Sequence, residues 1–312
     1  MASFSYVLGL TGQLMNAMMK KTVRQKVADR QEEMTMFKNS KLVCTLLLAT
    51  LLAALLPVSC AGAEAALLGQ TWYGCYEIKI YDDQTCVIAG YHDREDRTSL
   101  VIPEKLDKYD VVGIAQYAFY FDHPRYLTKI TIPDSVTWIG NEAFKECSSL
   151  QHVVIGNGVV EMGTDVFAEC KNLTSVVVGN NVTDIPYKAF NNCTSLTDVV
   201  LPNGLKTIGS RSFDNCSSLN AIELPDSLET IGEYAFYKCS ALQTIALPSS
   251  LRTLGGDAFS SCNPSLSVIA PSSIVFIGED ALGYTYTTTV TVEEGSYMHL
   301  YCEEFGYPFI LR

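Results

Sequence analysis

Eleven cysteines and four histidines are the side chains here best suited to metal binding, redox exchange or nucleophilic attack, and their spacing decides whether they do any of it. Cys147, Cys170, Cys193, Cys216, Cys239 and Cys262 recur every 23 residues. That interval sets one thiol on each turn of a repeating coil, in an inward column, where free cysteine packs as a small apolar residue. Neighbouring turns could bring the Cα atoms within bridging range, so disulfides along the column stay open at this point. Cys75 and Cys86 flank a turn at Asp82-Asp83-Gln84-Thr85, which pairs Cys86 with Tyr81 and sets Cys75 opposite His92. A bridge between those two is therefore not expected. This many unpaired thiols in an exported protein points to a reducing or anaerobic niche. His92, His123, His152 and His299 are scattered, and no HExxH, CxxC, GxSxG or P-loop occurs. Asp82-Asp83 lacks the alternating carboxylates of a calcium loop and reads as a turn. The expectation is a non-catalytic protein with no cofactor and no metal.

The elements that would position these side chains follow one period. Phe144, Phe167, Phe190, Phe213, Phe236 and Phe259 are 23 residues apart, Leu282 continues the series, and Phe119 begins it after a two-residue offset at His123-Pro124. The columns Ile130-Val153-Val176-Val199-Ile222-Ile245-Val268 and Ile139-Met162-Ile185-Ile208-Ile231-Leu254-Ile277 keep the same step. A register held this long is the signature of a solenoid. Within one unit, Val153 and Ile155 alternate as in a strand, which Gly156, or Pro202 and Pro225 elsewhere, ends. Val159 and Met162 point inward on the opposite flank, and Gly163 allows a turn. Val166, Phe167 and Cys170 then read as one face of a short helical turn. Eight turns at about 4.8 Å would build a parallel sheet roughly 35–40 Å long.

Both ends of such a stack need covering. Residues 72–95 read as strand, turn and strand. At the other end Thr289-Val290-Thr291-Val292 continues the sheet, and Ser296 caps a helix with Tyr297, Leu300, Tyr301 and Phe305 on one face, stopped by Gly306. The expected fold is thus a leucine-rich-repeat solenoid. It is a right-handed, β-rich coil of the α/β type, with a parallel sheet on one face, short helical turns elsewhere, a hairpin N-cap and a helical C-cap. The expected divisions are 64–99 for the hairpin cap, 100–286 for about eight turns and 287–312 for the C-terminal cap.

Upstream, residues 42–58 are an apolar run behind Lys38 and Lys41, and Ala61-Gly62-Ala63 offers a cleavage site before Glu64. That is the layout of a secretory signal peptide, so 42–63 is assigned to export. An uncleaved anchor, or lipid attached at Cys60, stays open. Translation from Met34 or Met36 would place this segment at the start, leaving 1–41 as an over-called start or a cytoplasmic tail. Residues 1–63 hold 7 Lys+Arg and 3 Asp+Glu of the chain's 22 and 34, which leaves 15 and 31, a net charge near −16, for residues 64–312. Such a surface repels phosphate backbones and excludes nucleic acid as a partner. The sequons at Asn172, Asn181, Asn192 and Asn215 are read as turn residues, two of them enclosing column cysteines.

The unit SL-x-x-I-x-LP-x-SL-x-x-IG-x-x-AF-x-x-C, clearest from Ser218-Leu219 to Cys239, resembles the BspA-like, or Treponema-type, leucine-rich repeats of bacterial surface proteins. The resemblance covers about residues 72–312, including Leu100-Val101-Ile102-Pro103 and the tail Gly295-Ser296-Tyr297 with Pro308-Phe309. It implies a secreted or surface-displayed protein-binding module, adhesin-like in some relatives. The chain lacks the family's C-terminal sortase motif, which puts wall attachment in doubt.

If the strands face solvent, two columns point outward. One includes Lys129, His152, Ser175 and Asp198; the other includes Thr131, Val154, Val177, Val200 and Glu223. Val154, Val177 and Val200 form an apolar strip where a solvated sheet carries polar residues. The strip reads either as a contact site for a protein, a glycan or a second copy of the chain, or as plain β-propensity.

Overall fold

The computed structural model describes residues 65–92, 97–120, 126–284 and 287–312. The export segment, Cys60 and the insertion at His123-Pro124 lie outside the described residues.

The 23-residue period becomes a stack of coils with three hydrogen-bonded faces. On the strand face, Ser99–Val101, Lys129–Ile132, His152–Ile155, Ser175–Val177 and Asp198–Val200 form one parallel sheet. A second parallel sheet follows: Thr244–Ala246, Ser267–Ile269, Thr289–Val292 and Phe309–Leu311. The register is one repeat per strand, Val154 beside Val177 beside Val200. Thr289–Val292 and Phe309–Leu311 belong to the segment expected as the C-terminal cap, so the coil makes about nine turns rather than eight. On the short-strand face, two-residue strands such as Glu161–Met162, Thr207–Ile208 and Thr253–Leu254 mark each coil. The glycine after them answers a close approach: a methyl group on Gly163 would collide with the backbone of Asn141 one coil earlier.

The third face departs from the expected helical turn. Asp165 (φ 55°) and Glu169 (φ 62°) are left-handed, as are their equivalents one repeat on, Lys188 and Asn192, then Arg211 and Asn215. A helix admits no such residues, so the segment is a pair of tight turns, closed by Ala168 N–H to Asp165 O (3.1 Å) and Cys170 N–H to Phe167 O (3.3 Å). This conformation turns alternate N–H groups toward the next coil. Phe144, Phe167, Phe190, Phe213 and Phe236 donate to carbonyls of Val166, Ala189, Ser212, Ala235 and Ala258 at 2.8–2.9 Å.

The core inside these faces is ordered along the axis. The rings from Phe119 to Phe259 stack with centroids 4.7–5.6 Å apart, and all are at most 1% exposed. Tyr91 ends the stack against Phe119 at 5.0 Å. No disulfide joins any two of the nine described cysteines. The column thiols bind across coils: Cys193 Sγ donates to Phe167 O (3.2 Å) and Cys216 Sγ to Phe190 O (3.3 Å), and the other four repeat the contact. Burial pushes the Cys262 thiol up to about 12 and those of Cys216 and Cys239 well above the ordinary value.

The N-terminal lid is a three-stranded meander, Leu67–Tyr73, Tyr76–Tyr81 and Thr85–Tyr91, whose last strand pairs parallel with Tyr109–Ile114. The turn, with left-handed Gln84 (φ 67°), closes one residue tighter than predicted, so Cys86 pairs with Ile80 instead of Tyr81. An irregularity between Glu77 and Ile78 then restores the predicted register, and His92 N–H meets Cys75 O (2.8 Å). At the other end the helix Tyr297–Phe305 is capped by Ser296 Oγ, which accepts from His299 N–H, and stops at left-handed Gly306. Its buried face is Met298, His299, Tyr301 and Cys302. Phe305 is 48% exposed. The face differs from the predicted one because Met298 and Cys302, one turn apart and fully buried, set which side meets the last coil.

Candidate partner-binding face

Four consecutive strands bring the predicted columns together. Lys129, His152, Ser175 and Asp198 stand side by side in register, and Thr131, Val154, Val177 and Val200 form the neighbouring line. In the first line, His152 Nδ1 lies 2.8 Å from Ser175 Oγ, and Thr197 donates to Asp198 Oδ2 (2.7 Å). Lys129 and Asp198 are exposed. In the second line, Val154 is half-buried, Val177 is 40% exposed and Val200 is 56% exposed. The apolar side chains therefore come progressively further into solvent toward Val200.

Beyond Val200 the sheet stops. Residues 220–224 take the place of a strand, but they carry no strand pairing, and Glu223, although exposed, is not joined to the line. The outward residues here are Ala221 and Glu223, both poor strand formers, in the places of Asp198 and Val200 one coil before and Thr244 and Ala246 one coil after. The core columns loosen at the same place. Val199, Leu201 and Leu224 are only partly buried, whereas Val153, Val176, Ile245 and Val268 are at most 1% exposed. The valine strip thus runs into an interruption with partly open apolar residues beneath it.

The sequence reading missed one member of the line. Val101, 66% exposed, pairs beside Thr131 and extends the apolar edge by one strand. Its cue was present, since Ser99-Leu100-Val101-Ile102-Pro103 keeps the cadence of the repeat strands. The turn face also carries organised polar groups that the period alone did not single out. The Arg211 guanidinium lies 4.2 Å from the Tyr234 ring and 2.8 Å from Asp214 Oδ2. Glu142 is held below its ordinary pKa, chiefly by a hydrogen bond from Lys145.

Among the described residues, no group of three or more His, Cys, Asp or Glu side chains is arranged to hold a metal, and no helix is long and apolar enough to cross a membrane.

A parallel-stranded coil with one inward Phe, one inward thiol and one strand per turn is a leucine-rich-repeat solenoid. The family model described as BspA type leucine rich repeat region matches residues 112–217 and 183–302, more than half of the chain. The chain belongs to that family. Two solved structures show similar folds. One, from Faecalibacterium prausnitzii and described as a leucine rich cell surface protein, is 24% identical over 73% of this chain and 83% of its own, with a TM-score of 0.56. Another, a leucine-rich repeat protein from Eubacterium ventriosum, is 28% identical over 59% of this chain and 48% of its own, with a TM-score of 0.52. The chain spans about half the length of that second protein. No curated protein matches it.

Proposed function

We propose that the chain is a non-catalytic module on the cell exterior, which binds a protein partner through the strand face between Val101 and Glu223. The observation that carries this reading is the line Val154, Val177 and Val200, in register and increasingly exposed toward the interruption at residues 220–224. A sheet face open to water normally sets polar residues at such positions, and an apolar centre with a polar rim is the make-up of a protein contact. Here the rim is Lys129, His152, Ser175, Asp198 and Glu223. The export segment 42–63 and the printed description of the Faecalibacterium protein support an exterior location. Free secretion, a retained apolar anchor and lipid at Cys60 are the three routes to it.

The test is binding of the full chain and its Val177→Asp variant to extracts of host and bacterial surfaces. Bound protein should fall at least tenfold with the variant while its circular dichroism is unchanged. Equal binding by a folded variant removes the strip from the reading. Loss of binding after periodate oxidation of the extract points to a glycan ligand instead.

A further inference from the structure

Among the described residues, the N-terminal lid ends in a strand with an open edge. Leu67–Tyr73 is, among those residues, the outermost member of a seven-stranded sheet and pairs only with Tyr76–Tyr81. All seven of its residues are exposed: Leu68 is 66% open, Leu67 57%, Trp72 54% and Tyr73 46%. Edge strands of soluble proteins are usually blunted by charge, by proline or by a bulge. This one has no charge and no proline, and its single irregularity lies between Leu67 and Gly69. The stretch from Gly69 to Tyr73 is a regular strand.

That stretch is complementary to itself. The two-residue turn at Gly74-Cys75 makes Tyr73 and Tyr76 the closing pair, so by alternation the N–H and C=O of Gln70 and Trp72 point to the open side. An antiparallel second copy would match Gln70 with Trp72, Gly69 with Tyr73 and Thr71 with Thr71. Threonine pairs and an aromatic over glycine are favourable cross-strand partners. Charge selects the same place. Residues 64–312 carry a net charge near −16, with 15 Lys+Arg and 31 Asp+Glu, so two copies repel over most of their surfaces. The uncharged edge is a place where they can approach.

We propose that Leu67–Tyr73 pairs antiparallel with the same strand of a second copy, about a two-fold axis at Thr71. The contact is isologous and closes on itself, giving a dimer rather than a fibre. A strand of this length spans about 24 Å, and the area it buries falls at or below the roughly 1,000 Å² of a stable interface. The dimer is therefore weak and depends on concentration. This contact is separate from the valine strip and stands without it.

The test uses the full chain and follows its sedimentation with concentration. Three variants accompany it. Thr71→Cys should give a disulfide-linked dimer under mild oxidation, well above the background from the chain's own cysteines. Gln70→Cys, facing Trp72 across the axis, should not. Thr71→Lys, which sets two ammonium groups opposite each other, should weaken the dimer at least tenfold. A chain monomeric at every concentration overturns the proposal, as does Thr71→Cys that cross-links no better than Gln70→Cys. Coverage of the edge by residues 1–64 of the same chain would give that monomeric result. A dimer dissolved by Val177→Asp but untouched by Thr71→Lys moves the contact to the strand face and also overturns it.

Discussion

The same coils look different from their two long faces. On the turn face, every phenylalanine from Phe119 to Phe259 donates its N–H to the next coil at 2.8–2.9 Å, without a gap. On the strand face the ladder breaks at residues 220–224, and the core columns beneath it open. The difference shows where each face draws its order. The turn face is held by backbone bonds, a ring stack and thiols that bridge coils, which vary little from repeat to repeat. The strand face has outward residues under no packing constraint, and its ladder is interrupted at the coil that carries Ala221 and Glu223. Stability concentrates on the first face and variation on the second, which suits a scaffold that presents a contact surface.

The sharpest way to break this contrast is to remove a ring. Phe190→Ala should cost about 3–5 kcal/mol in urea unfolding, because the cavity lies between two stacked rings that cannot close over it. Val200→Ala on the strand face, already 56% exposed, should cost well under 1 kcal/mol. Similar costs for the two would erase the distinction.

Next in size is an alkaline loss of stability carried by the buried thiols. The Cys262 pKa rises from 9.0 to about 12 on folding, mainly through burial. A raised folded pKa means that the contribution is complete below pH 9 and is lost as pH rises from 9.0 toward about 12. The urea midpoint should be level from pH 7 to about 8.5 and then fall. Over the level range Cys216 and Cys239 should resist alkylation in the folded chain. Alkylation there at the unfolded rate would contradict the closed column.

A smaller effect is expected from Cys193→Ala, which removes the Sγ–H that donates to Phe167 O and leaves a small void. A cost of about 1–2 kcal/mol is anticipated. Asp198→Ala, on the exposed face of the sheet, should lie within about 0.5 kcal/mol of the parent. Val177→Asp is expected to cost only about 1 kcal/mol or less in stability, set against the largest loss of partner binding. A collapse of the fold instead would show that the strip is structural.

Much of the solenoid was legible in the residues. The period located the inward Phe and Cys columns of the coil and its aliphatic columns, because a coil that repeats its backbone must repeat the side chains that fill it. The left-handed turns were not legible. Asp165, Lys188 and Arg211 share no residue type that favours positive φ, and the spacing of Val166, Phe167 and Cys170 suits a helical turn equally well. Nor was the helix face at Tyr297–Phe305, where Tyr297 and Phe305 were as apolar as Met298 and Cys302. Of the candidate site, the two outward columns followed from alternation, and Val101 was lost because those columns were begun one coil later, at Lys129 and Thr131. The exclusion of Glu223 from the line came only from the break in pairing.

What the thiols do marks the division between the two sources. Their 23-residue interval, alone, required one cysteine per coil in an inward column, since periodicity dictates which side chains share a face. Whether they would bridge each other was a question of direction and distance between coils. The tertiary structure turned each Sγ toward the carbonyl of the preceding coil's phenylalanine, leaving the column reduced. Likewise alternation determined that Val154, Val177 and Val200 point outward, while the stacking of coils decided that they lie side by side and end at an opening. Local pattern sets orientation within one chain segment; neighbours in space set everything that depends on a second segment.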